Sequence, residues 1–151
     1  MLIKAWQLRG DKIVFTNGCF DLLHRGHLTY LAKAAEEGNR LVIGINSDAS
    51  VKKQGKGENR PVTKEQDRAF ILAGLGFVDA IIVFDEPTPK ELIEFLQPDV
   101  LVKGGDYDAE EKDPASKKYI VGRDTVLKNG GKVITIPFVE GFSTTGILSR
   151  I

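Results

Sequence analysis

Five short apolar runs divide the chain, and between them the hydrophobic spacing changes from continuous to three-and-four. The runs are residues 13–15, 41–45, 80–84, 100–102 and 133–136. Each is branched and apolar on both alternating faces, as a parallel strand covered by helices on both sides must be. Asn17-Gly18 closes the first, Gly104-Gly105 the fourth and Pro137 the last. Between them, residues 22–37 carry Leu28, Leu31, Ala32 and Ala35 at helical spacing and stop at Gly38-Asn39. Residues 63–75 open with Thr63-Lys64-Glu65-Gln66, which reads as a capping box. A third helix is expected over 88–96 with Pro89 in its first turn, a fourth over 117–129 broken by Gly122, and a fifth over 144–151 after Ser143. The β-α alternation predicts one α/β domain: a Rossmann-like, mostly parallel five-stranded sheet with helices on both faces and right-handed crossovers. Residues 47–61 and 106–116 are polar and carry no period. Both follow strands, at the sheet edge where open α/β folds bind ligands.

A length of 151 residues suits a single domain, with residues 1–11 read as an N-terminal extension. Lys plus Arg and Asp plus Glu both number 21, so formal charge is zero. A broadly basic nucleic-acid binder is thereby excluded, but a local cationic pocket is not. Cys19 is the sole cysteine, so no disulfide forms within the chain. No apolar stretch is long enough to span a bilayer and no secretory pattern opens the chain, so a cytoplasmic location without membrane attachment is expected.

The chemistry is densest from Thr16 to His27 (TNGCFDLLHRGH). A strand ends, a turn follows and a helix begins, which is a ready anion site because free N–H groups and the helix dipole face the ligand. His24 and His27, the only two histidines, are three apart with Gly26 between them. Helical spacing would bring both imidazoles to one point, and a bare Gly26 would let a ligand approach the backbone. Two imidazoles there suit a phosphoryl group gaining charge. A zinc site from Cys19, Asp21, His24 and His27 is the weaker reading, for want of a second ligand pair. A dehydrogenase-type dinucleotide turn would need Gly-x-Gly-x-x-Gly, and Asn17-Gly18-Cys19-Phe20 does not supply it.

Several motifs together resemble the cytidylyltransferase-like nucleotidyltransferase family over about residues 12–151. They are Thr16 to Leu23 with His24-Arg25-Gly26-His27, Asn46-Ser47-Asp48, Arg60-Pro61-Val62, Glu65-Gln66-Asp67-Arg68, Val102 to Tyr107, and Glu140 to Thr145. The set is most similar to the heptose 1-phosphate adenylyltransferases, which often sit behind a ribokinase-type sugar kinase; residues 1–10 read as the remnant of that linker. The resemblance implies an enzyme moving AMP from ATP to a sugar 1-phosphate, most nearly D-glycero-D-manno-heptose 1-phosphate, with release of pyrophosphate, in lipopolysaccharide core precursor synthesis. Mg²⁺ would arrive with ATP, with no tightly bound cofactor, and a homodimer is among the expected states.

Residue by residue, the resemblance assigns His24 and His27 to the ATP phosphates and Lys53, or its neighbour Lys52, to closing over them. Thr16, Asn17, Gly18, Phe20 and Gly26 would line the nucleotide pocket, and Lys103, Gly104 and Asp106 would sit by base and ribose. Ser143, Thr144 and Thr145 would grip the β- and γ-phosphates. Asn46, Arg60 and Arg68 would touch nucleotide or substrate. Asp21 would orient the histidine turn or help bind the metal. Trp6 and Phe142 read as packing residues. The alternatives are a CTP-dependent enzyme acting on glycerol 3-phosphate or a similar small phosphate, and a nucleotide-binding module without turnover. Glycerol-phosphate cytidylyltransferases carry an Arg-Thr pair where this chain has Phe138-Val139, and the Lys-Gly-Gly-Asp-Tyr stretch also favours ATP.

Overall fold

The fold, a computed structural model, describes residues 2–151. Its strands are β1 (Ile13–Gly18), β2 (Arg40–Asn46), β3 (Ala80–Phe84), β4 (Val100–Gly104) and β5 (Lys132–Ile136). They form one all-parallel sheet in the order β3-β2-β1-β4-β5. Phe15 of β1 stands opposite Val42 on one side and Leu101 on the other, so β1 is central. The chain winds outward through β2 and β3, then returns to β1's free edge with β4. The order therefore reverses between β1 and β4, where such sheets open a crevice at their carboxyl ends.

The two-residue period sorts the strands between two cores. Val14, Leu41, Ile43, Ile45, Val100 and Val102 pack with Leu31 and Ala34 of α2 (Arg25–Ala35) and Leu72 of α4 (Glu65–Ala73). On the opposite face Ile13, Phe15, Val42 and Leu101 meet α1 (Leu2–Leu8), α5 (Lys90–Leu96) and α6 (Arg123–Lys128). Helices thus cover both faces. Among the described residues no helix is long and apolar enough to cross a membrane.

Several boundaries differ from the sequence reading. Helix α1 was not anticipated: it buries Ile3 and Trp6, and the Arg40 guanidinium lies 4.7 Å from the Trp6 ring centroid. Trp6 is indeed a packing residue. A further helix, α3 (Asp48–Lys53), lies inside the expected 47–61 loop, with the Ser47 hydroxyl accepting from the Ser50 N–H at 3.1 Å. The capping box at Thr63 does not form; Lys64 occupies the cap without a side-chain bond. Instead Glu65 N–H donates to Asp48 Oδ1 (2.9 Å) and Asp48 N–H donates to Glu65 Oε1 (3.1 Å), a reciprocal cap between the starts of two helices. Helix α6 begins only at Arg123, because Gly122 adopts φ +88°, a conformation no helix interior accepts. The last helix, α7 (Thr144–Leu148), is three residues shorter than expected.

Candidate active site

A cleft of about 580 Å³ opens where β1 and β4 end, between the turn leading into α2 and the segment leading into α7. The first wall is strained and tightly held. Phe20 has φ +48°, rare for a bulky residue and costing on the order of 1–3 kcal/mol. Its ring is buried and meets His27 edge-on, centroids 5.2 Å apart.

The imidazole pair differs from the helical reading. Helix α2 starts at Arg25, not at residue 22, and His24 is its N-cap in extended conformation. His24 Nδ1 accepts the His27 N–H at 3.3 Å, which places the His24 ring proton on Nε2 as a donor. The two rings stack at 3.8 Å with an interplanar angle of 20°. Burial lowers both pKa values, and the neighbouring His24 assists in taking His27 down to about 4. His27 Nδ1 is buried without a hydrogen-bond partner; a proton on Nε2 makes it a bare lone pair rather than an orphaned N–H. The cleft thus presents two neutral rings. Gly26 serves this stack: a Cβ there would lie 2.9 Å from His24 Cε1 and 3.1 Å from Phe142 Cβ. Its bareness admits the protein's own ring.

Two networks hold the turn. The buried Asp21 carboxylate accepts from Arg60 Nε, Val62 N–H (3.0 Å) and Thr63 N–H (2.9 Å). Burial would raise its pKa, but together those bonds outweigh that and hold it below the usual carboxylate range. The fully buried Arg68 side chain donates to the carbonyls of Cys19 (2.8 Å), Asn46 (2.7 Å) and Thr63 (2.9 Å) and to Asp48 Oδ1 (2.8 Å). It ties the ends of β1 and β2 to α4.

The opposite wall comes from β4 and the chain after β5. Lys103 Nζ donates to Asn17 Oδ1 (3.3 Å) and O (3.4 Å) and lies 4.8 Å from the Tyr107 ring centroid. Burial brings its pKa down to about 8, with Lys56 adding to the effect. Phe138 lies over Gly104, and Ser143 caps α7 by accepting the Gly146 N–H at 2.8 Å. Thr144 Oγ1 donates to the Leu22 carbonyl at 3.2 Å, linking the walls. Among the described residues lining the cleft, Asp21 is the one carboxylate and it is paired with Arg60. With Arg60 set against Asp21, Lys56 and Lys103 leave a cationic pocket in a chain of zero formal charge.

The cleft gathers Asn17, Gly18, Phe20, Asp21, His24, Gly26, His27, Arg60, Lys103, Gly104, Ser143, Thr144 and Thr145 from the sequence reading. It does not gather Thr16, which is buried with its hydroxyl 2.7 Å from that of Tyr30. Arg68 and Asn46 are buried behind the wall; Asn46 Nδ2 donates to Ser50 Oγ at 3.0 Å. Arg68 thus positions the turn and has no free donor edge for nucleotide. Lys52 and Lys53 sit exposed on the last turn of α3, and of the lysines after β2 it is Lys56 that lines the cleft. Asp106 is exposed outside it. Asp21 does not fit a metal, since both its oxygens are engaged. Among the described residues no group of three or more His, Cys, Asp or Glu side chains could hold one, so the zinc reading falls too. The sequence reading missed Cys19, Tyr30, Lys56, Tyr107, Phe138, Val139 and Phe142 as lining residues. Phe142, read as packing, is 43% exposed. The Lys56 signal was present in the polar run after β2, but choosing among its lysines needs the length of α3.

Residues 15–150 match the family model described as cytidylyltransferase-like. The protein named bifunctional protein HldE from Geobacter metallireducens is 53% identical over 150 residues, covering 99% of this chain and 29% of that protein. The HldE of Campylobacter concisus is 56% identical over 140 residues, 93% of this chain and 27% of that protein. The chain therefore spans under a third of the curated relatives it matches. Among solved structures, the lipopolysaccharide core biosynthesis protein from Thermoplasma volcanium is similar with TM-score 0.64 and 27% identity, covering 86% of this chain and 98% of that one. A pantoate-beta-alanine ligase from Francisella tularensis, at 17% identity and TM-score 0.55, shares the fold.

Proposed function

Because the chain belongs to the cytidylyltransferase-like family, we propose that it is a nucleotidyltransferase that joins AMP from ATP to a sugar 1-phosphate and releases pyrophosphate. The observation that carries this reading is the stacked, neutral imidazole pair at the start of α2, facing a cleft whose one carboxylate is neutralised. An oxygen of the sugar phosphate forms a bond to the α-phosphorus of ATP as the bond to the β-phosphate oxygen breaks, and pyrophosphate leaves. The attacking group is already an anion, so no general base is required. The chain's work is positioning and charge stabilisation.

His24 Nε2–H is a neutral donor, and the α2 N-terminus adds N–H groups directed at anions. Charge developing on the α-phosphoryl oxygens strengthens both interactions in the transition state. Lys56 and Lys103 bring uncompensated cations to the triphosphate, and Ser143 and Thr145 supply hydroxyls for the departing pyrophosphate, the Thr144 hydroxyl being given to the Leu22 carbonyl. Magnesium enters as part of the MgATP substrate, since Asp21 does not offer it a ligand. The acceptor we assign is D-glycero-D-manno-heptose 1-phosphate, supported by the resemblance to the heptose 1-phosphate adenylyltransferases and the 53% identity to an HldE protein; the Lys103-Gly104-Gly105-Asp106-Tyr107 stretch and Phe138-Val139 in place of an Arg-Thr pair support ATP as the nucleotide. Pyrophosphate release is to be measured for ATP with heptose 1-phosphate beside CTP with glycerol 3-phosphate. Turnover of the first pair is expected. Preference for the second would replace this reading with the cytidylyltransferase one, and ATP binding without turnover would leave only a nucleotide-binding module.

A further inference from the structure

Tyr30 lines the cleft, yet the phosphate contacts make no use of it. It stands three residues after His27 on the same face of α2, and a helical side chain leans back toward the N-terminus, so its phenol reaches toward the histidine turn. Its ring packs half-buried against the core beneath α2. Its hydroxyl lies 2.7 Å from Thr16 Oγ1, near the end of β1. Two hydroxyls carry two protons, but the pair makes one hydrogen bond, and neither oxygen has another partner among the described residues. One proton is left over. Thr16 is fully buried, so a proton stranded on its oxygen would be a buried donor without an acceptor. The arrangement that avoids this has Thr16 donating to Tyr30, which leaves the free O–H on the residue that lines the cleft. Burial pushes the Tyr30 pKa above its ordinary value, so that proton stays in place at neutral pH.

We propose that Tyr30 is a nucleoside-contact residue, its O–H donating to an acceptor atom of the nucleoside while Thr16 fixes the phenol by giving it the other hydrogen bond. The inference deepens the nucleotidyltransferase reading and rests on a nucleotide occupying this cleft. The surroundings choose nucleoside over phosphate. The donors for phosphate, His24 Nε2–H and the free N–H groups of the first turn, gather at the start of α2, on the far side of His27 from Tyr30. Tyr107, whose neighbouring phenol helps to raise the Tyr30 pKa, and Phe138, which lies over the bare Gly104, line the same cleft. Flat rings and bare backbone suit a base, and a neutral O–H suits the uncharged oxygens and ring nitrogens of a nucleoside.

The test measures Kd by titration calorimetry for ATP and for inorganic tripolyphosphate, which keeps the anion and lacks the nucleoside, with magnesium present for both. The proteins are wild type, Tyr30→Phe, Thr16→Val and the double variant. Tyr30→Phe is expected to weaken ATP about three- to tenfold, the scale of one neutral hydrogen bond, and to leave tripolyphosphate unchanged. In the Thr16→Val background the phenol has no threonine to serve. Adding Tyr30→Phe there is expected to weaken ATP by the same factor without lowering the melting temperature further. Replacing both partners by apolar groups strands no donor, so this pair carries the test if Tyr30→Phe alone does not fold. An unchanged Kd for ATP on adding Tyr30→Phe in that background would overturn the contact and leave the phenol serving Thr16 alone. An equal loss for tripolyphosphate would overturn it too, as the mark of a distorted cleft. Either result leaves the transferase reading standing, since wild-type pyrophosphate release decides that reading. ATP binding without pyrophosphate release would overturn the transferase reading alone, and a wild type that binds no ATP would overturn both.

Discussion

The two walls of the cleft are built on different principles. The β1–α2 wall is locked: a strained Phe20, a buried Asp21 and a fully buried Arg68 fix the backbone on which the histidines stand. The wall from Phe138 to Thr145 is open, and α7 buries no residue. Strain persists only where the surroundings over-determine it. The difference teaches which wall must be shaped before ligand arrives, namely the one whose donors face developing charge, where preorganisation counts most.

The sharpest way to break that asymmetry is Arg68→Ala. It strands three backbone carbonyls and Asp48, and should cost about 3–5 kcal/mol in denaturant unfolding. Arg68→Lys should fail to restore it, because an ammonium cannot span those acceptors. Next is His24→Asn, which keeps a good helix cap but removes the Nε2 donor. Its melting temperature should stay near wild type while pyrophosphate release falls on the order of 10²–10³. Near-normal turnover would remove His24 from the mechanism.

Acid probes the same wall more gently. The folded His27 titrates near 4 and an unfolded histidine near 6.5, so between those values the unfolded chain binds more protons. Stability should therefore fall as pH drops through that window, by on the order of 1 kcal/mol between pH 7 and 5.5. Asp21, held low, withdraws its contribution only in stronger acid. Thermal melts across pH should show the first slope in wild type and a flatter one in His27→Gln. The smallest effect is expected on the open wall. Ser143→Ala should change stability by less than about 1 kcal/mol, while raising KM for ATP. A large loss of stability there would mean that the open wall is as locked as the other.

The fold was legible because each strand is a compact apolar run and α/β alternation admits few topologies. The period-two split of Ile13 and Phe15 from Val14 follows from the same pattern. The histidine turn was legible because both histidines fall in one strand-to-helix junction. Roles that depend on who satisfies whom were not. Arg68 read as a nucleotide contact, and Asp21 as either orienting the histidine turn or binding the metal; their pairing with backbone groups far along the chain places both as struts of that turn. Lys52 and Lys53 could not be told from Lys56 without α3, whose six residues are too few for periodicity to show. Residues 2–8 were missed for the same reason: seven residues make barely two helical turns, defined by what Trp6 lands on.

The central position of β1 has a consequence for the newborn polypeptide. Its pairing with β2 needs only the stretch from Ile13 to Asn46, but its pairing with β4 joins Val14 to Val100. While the ribosome is still short of that segment, β1 carries an open edge of unsatisfied N–H and C=O groups, the kind of surface that recruits stray strands. The crevice between β1 and β4 comes into being with that same late closure, so the cleft cannot form before β1 has sealed that edge.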